Sequence, residues 1–123
     1  MTEERTLFTV DQARALMPDV LERASEIITV RADLAELAAA IAAGDDSPLG
    51  AVPEAKALEA RLHELLTWFA SAGLELKGWA PVLVDFPSML DGHDVLLCWL
   101  EGESELGWYH RVELGFPGRR RLP

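Results

Sequence analysis

Two long stretches of this chain repeat apolar residues at helical spacing, and a third, shorter region alternates like strands. Val20, Ala24, Ile27, Leu34, Ala38 and Ile41 follow alternating steps of four and three, with Arg31 in the gap. That is the seam of a helix packed along a partner. Leu21, Ile28, Ala35 and Ala42 repeat every seven residues beside it. The apolar stripe is therefore wider than one partner helix needs. Upstream, Thr9 and Gln12 fit a capping box, with Phe8 where a hydrophobic staple would start. A proline ring clashes with the carbonyl four residues back but is welcome in a first helical turn. Pro18 thus predicts a short helix over 10–17 and a long one restarting at 18 and running to about 43.

The breaker cluster at 44–50 precedes a second seam of Ala55, Leu58, Leu62, Leu65, Phe69 and Ala72, widened by Leu66. It predicts a helix over 53–72, stopped by Gly73. The pattern then shortens. Runs at 82–86, 94–100 and 105–111 are rich in β-branched, aromatic and leucine residues. Pro87 with Asp91-Gly92, and then 101–104, mark the turns between them. The expected architecture is α+β: a long antiparallel helical hairpin packed with a three-stranded antiparallel β-meander. It predicts a single domain over 1–123, with a helical part over 8–73, the meander over 82–111 and a C-terminal segment over 112–123.

Composition narrows the function classes. The formal net charge is −10, which argues against a nucleic-acid or anionic-membrane partner, because phosphate affinity comes from Lys and Arg. The run Arg119-Arg120-Arg121 is the local exception, read as a solvated chain end or a phosphate contact. One cysteine, Cys98, allows no intrachain disulfide. The opening MTEERTLFTV has neither the basic nor the apolar region of a secretory signal, which predicts a cytoplasmic protein. Arginine-rich, lysine-poor composition with much alanine points to a high-GC bacterial source.

The segments FTVDQARALMP, VDFP, LLCW with a following GE, WYH and GFPGRR occur in this order. Together they resemble a bacterial family of uncharacterised small proteins, the domain of unknown function numbered 2203. The resemblance covers most of the chain, with a divergent helical middle. Tyr109 between Trp108 and His110, and Pro117 where a small residue is usual, are the departures. The resemblance implies a bacterial cytosolic protein and brings no established activity.

Candidate chemistry lies in the strand region. A four-residue second loop pairs Val95 with His110 and Leu97 with Trp108, and the first turn pairs Asp85 with Val95. Asp85 and His110 then share a face, two strand spacings or roughly 9.6 Å apart. That separation suits flanking a small ligand or a divalent metal. In this register Leu97, Trp99, Leu106 and Trp108 join that face, and Cys98 points to the other. His110 is then a functional imidazole or a core histidine, and Asp85 a ligand or a cap for turn amides. Cys98 reads as a small core hydrophobe. Glu101, Glu103 and Glu105 read as solvated turn acids, with Glu103 able to pin the tail through Arg119 or Arg120. His63 follows Glu59 by four residues, not the three that di-iron bundles use.

Asp85, Glu103, His110 and Arg119 are therefore the candidate binding residues, with Asp85 and His110 as candidate metal ligands. The expected function is a non-enzymatic oligomeric binding or interaction module, a homodimer through its helices. The alternative is a metal-dependent or acid–base enzyme, hydrolase-like, using the Asp/Glu/His cluster.

Overall fold

Thr9 begins the first helix as expected. Its hydroxyl accepts from the Gln12 amide at 3.1 Å, and its own amide donates to Gln12 Oε1 at 3.0 Å. The computed structural model describes residues 6–44 and 51–123. Apart from Gly44, the breaker cluster predicted at 44–50 lies outside the described residues. Phe8, just before the cap, packs against the core. It packs edge-on against Phe86, with ring centroids 5.6 Å apart.

Helix α1 runs unbroken over Val10–Ala42, so the predicted break at Pro18 does not occur. Pro18 is exposed. An interior proline costs about 3 kcal/mol. Burial of Ala13, Met17, Val20, Ala24, Ile27 and Val30 on the opposite face outweighs that, at about 1.5–3 kcal/mol for each large side chain. Helix α2 spans Ala51–Ser71 and buries Leu65 and Phe69. Gly73 ends it with φ +84°. The Gly73 amide donates to Ala70 O and the Leu74 amide to Phe69 O, the paired bonds of a glycine-terminated helix. The helices run antiparallel along each other. Arg61 bonds Glu26 at 2.6 Å, and the Arg23 guanidinium lies 4.0 Å from the Trp68 ring centroid.

The sheet has five strands, not three. They are β1 (Glu75–Trp79), β2 (Val82–Leu90), β3 (His93–Leu100), β4 (Trp108–Arg111) and β5 (Arg120–Arg121), antiparallel and in sequence order. The predicted meander of 82–111 therefore extends at both ends. β1 carries a bulge between Leu76 and Gly78 that breaks its alternation. β5 is two arginines with no apolar signal. β2 also passes through Pro87, where a turn is predicted. The Pro87 carbonyl accepts from the Phe8 amide at 2.8 Å, and β1 pairs only as far as Asp85. The missing proline N–H points to that same side, so no strand ladder loses a bond. The chain turns at Asp91-Gly92, the other half of the expected turn signal, whose φ values of 50° and 76° suit a tight hairpin.

The helices cover one face of the sheet, packing on Val82, Val84, Phe86, Val95, Leu97 and Trp99. Arg31, the gap in the α1 seam, makes a two-pronged bond of 2.7 Å per prong to Glu101 and a third to Trp79 O. On the opposite face the C-terminal segment crosses back through a 3₁₀ turn at Phe116–Gly118 into β5. No helix among the described residues is long and apolar enough to cross a membrane.

Candidate functional site

Strand register places the site. Asp85 pairs with Cys98, Cys98 with Trp108, and Leu96 with His110. The second hairpin is shifted by one residue from the expected register and the first by three. Each odd shift turns a strand over relative to its neighbour. The two cancel between β2 and β4, so Asp85 and His110 share a face. They do not cancel for β3. Cys98 therefore joins Asp85 and His110, contrary to expectation, while Leu97 and Trp99 turn to the helices. Leu106 is buried in the core instead of lying in a strand. The loop from Glu101 to Gly107 is longer than four residues for that reason.

Asp85, Cys98 and His110 are buried, with relative exposures of 2%, 0% and 3%. His110 Nε2 lies 3.5 Å from Asp85 Oδ2, a direct contact instead of a gap of two strand spacings. His110 Nδ1 lies 2.9 Å from the Arg111 carbonyl oxygen. Asp85 Oδ1 is buried without a hydrogen-bond partner. One ligand atom from each of the three residues lies within 4.8 Å of the others. Burial raises the Asp85 pKa, and contacts with the Cys98 thiol and His110 only partly offset it. Burial, with the Asp85 charge and hydrogen bond added, pushes the Cys98 thiol up to about 12.

Glu103 and Arg119 form a second, adjacent pair. Arg119 donates to both Glu103 carboxylate oxygens, at 2.7 and 2.9 Å, and to the Cys98 carbonyl at 3.2 Å. The Leu100 amide donates to Glu103 Oε1 at 2.7 Å. The Arg119 guanidinium also sits 4.8 Å from the Trp108 ring centroid and 4.9 Å from that of Phe116. Arg119 is thus a clamp on the C-terminal segment and not part of a solvated tail. Glu101 and Glu103 are paired with arginines, unlike solvated turn acids, whereas Glu105 is exposed. The four predicted residues fall into two neighbouring sets, joined by the backbone of Cys98. Cys98 is the residue the sequence reading set aside. Its signal lay in strand alternation, since Trp108 and His110 must share a face, as must Leu96 and Cys98.

The model of an uncharacterised conserved protein family, DUF2203, matches residues 6–122. The chain belongs to this family. No curated protein and no solved structure matches it.

As in the motif order of this DUF2203 chain, DFP, LCW and WYH lie on adjacent strands and GFPGR closes over them. A groove of about 440 Å³ opens between the sheet and the C-terminal segment. Asp85, His110 and Leu96 line it from the sheet, Lys77 from β1, and Gly115 and Phe116 from the segment. Lys77 pairs with Glu75 at 2.9 Å. The carboxylate and imidazole thus lie at the wall of the groove.

Proposed function

We propose that this protein is a non-enzymatic binding module, homodimeric and cytoplasmic, that takes a small cationic ligand in the groove beneath its C-terminal segment. The ligand is a metal ion or a small amine. The observation that carries this reading is Asp85 Oδ1, a buried carboxylate oxygen with no partner. Leaving a buried acceptor unmet costs about 1–3 kcal/mol, and more when it is charged. A cation reaching it through the groove recovers that energy.

Two features favour binding over covalent catalysis. A thiol pushed up to about 12 stays protonated at neutral pH, and the thiolate is the nucleophile. Glu103 and Arg119 are paired with each other, which favours a structural role for both. The second reading, a metal-dependent or acid–base hydrolase, draws on the 3.5 Å Asp85–His110 contact. A free, buried thiol accords with a reducing compartment.

Thermal melts of the chelator-stripped protein with Zn²⁺, and separately with putrescine, test the binding reading. At least one cation is expected to raise the Tm, and Asp85→Asn is expected to abolish the rise. No shift with either cation overturns it.

A further inference from the structure

The hydrogen bond of His110 fixes its tautomer. A carbonyl oxygen only accepts, so the Nδ1 atom 2.9 Å from Arg111 O carries the proton. The neutral ring then aims the Nε2 lone pair at Asp85 Oδ2, 3.5 Å away. Two acceptors face each other inside the protein, and a positive charge must lie between them. A proton there would satisfy Nε2 and Oδ2, but it would leave Oδ1 unmet. A metal ion satisfies all of these atoms. An imidazole that donates its other ring N–H to a backbone carbonyl is oriented as metal-bound histidines are.

Distance and charge agree. Zinc–ligand bonds of about 2.0–2.3 Å place tetrahedral ligand atoms roughly 3.3–3.8 Å apart. The Asp85–His110 separation is already in that range, and one ligand atom from each of the three residues lies within 4.8 Å of the others. A divalent ion with one thiolate and one carboxylate is neutral. Neutrality suits side chains that are almost wholly shielded from water. Thiolate and imidazole together select zinc-class ions over magnesium and calcium, which take oxygen ligands.

We propose that Asp85, Cys98 and His110 hold one divalent transition-metal ion of the zinc class. The proposal rests on the binding-module reading and names its ligand. On binding, the Cys98 S–H bond breaks, its proton leaves to solvent, and a sulfur–metal bond forms. The proton on His110 Nδ1 stays there, donated to the Arg111 carbonyl, and no atom changes oxidation state. Asp85 and His110 line the groove, so a fourth ligand such as water would enter from that side.

The full-length protein, stripped with chelator, is titrated with Co²⁺. About one equivalent should bind, with a thiolate-to-cobalt charge-transfer band in the near ultraviolet and the visible bands of four-coordinate Co²⁺. Zn²⁺ should displace it and excess Mg²⁺ should not. Cys98→Ser, checked for folding by circular dichroism, should lose the charge-transfer band. Asp85→Asn should weaken uptake about tenfold or more, giving a second variant should the serine protein not fold. Undiminished uptake in both folded variants places the ion elsewhere and overturns the assignment. Suppose Co²⁺ and Zn²⁺ fail to bind folded wild type, while putrescine raises its Tm through Asp85. The metal assignment then falls and the binding-module reading stands. If none of the three cations binds, both fall.

Discussion

Asp85 is a carboxylate that the fold holds at a disadvantage. Burial raises its pKa, and one of its oxygens has no partner. Asp85→Asn removes the charge at nearly constant volume. In chelator, the variant is expected to be more stable than wild type at pH 7 by about 1–2 kcal/mol, since neutralising a poorly solvated buried charge is often stabilising. Urea unfolding measures the difference. A loss of similar size would show that the carboxylate contributes to stability. Gly118 is a residue-scale constraint of another kind. A Cβ placed there would lie 2.7 Å from Leu114 Cβ. Gly118→Ala should cost about 1–3 kcal/mol, the usual range for overpacking. An unchanged urea midpoint would show that the 3₁₀ turn can shift to make room.

Among the elements, the C-terminal segment is the one whose role the amino-acid pattern reveals least. Phe116, the aromatic residue of the segment, remains 42% exposed. The hold is distributed. Arg119 clamps Glu103, β5 pairs with β4, Leu122 packs against the core, and the Leu122 amide bonds Gly107 O at 2.8 Å. Truncation after Leu114 removes all four, so it should lower the Tm more than Arg119→Ala does. Equal shifts would assign the whole anchor to the ion pair. In the same loop after β3, Glu101 joins the sheet to α1 through Arg31. The hydrogen bond from Arg31, with that of the Val82 amide, lowers the Glu101 pKa. A lowered carboxylate pKa gives stability that is present above the unfolded value and is lost as pH falls through the folded one. Wild type should therefore lose more stability than Glu101→Gln on acidification below about pH 4–5. The pair is partly solvated, so the difference should be about 1 kcal/mol or less. Parallel urea curves at pH 3 and pH 7 check it.

For the molecule as a whole, the sheet is covered by helices on one face and by the returning C-terminal segment on the other. Leu21, Ile28 and Ile41 nevertheless remain exposed along α1. If self-association covers them, light scattering at micromolar concentration should give the mass of a dimer. A monomer throughout that range would withdraw the homodimer from the proposed function. The helices were legible in the sequence because burial in a long helix repeats every three to four residues: Val20, Ala24 and Ile27 sit where the spacing puts them. The Thr9 cap and the Gly73 stop are also local, set by side chains within a few residues of the backbone groups they satisfy. Strand existence was legible for β2, β3 and β4, and the absence of a break at Pro18 was not. There, burial on the far side of α1 overrides a local penalty. Register was decided by tertiary structure alone. A strand's side chains alternate with period two, so a slip of one residue reverses every face without changing the hydrophobic pattern enough to be seen. The inward turn of Leu106 lengthens the β3–β4 loop, and the contact of Phe8 with Pro87 carries β2 past its apparent end. Those long-range contacts brought Cys98 beside Asp85 and His110. The sequence by itself determined that a carboxylate, a thiol and an imidazole lay on neighbouring strands. Only the packed sheet, by fixing which way each strand faces, decided that they meet.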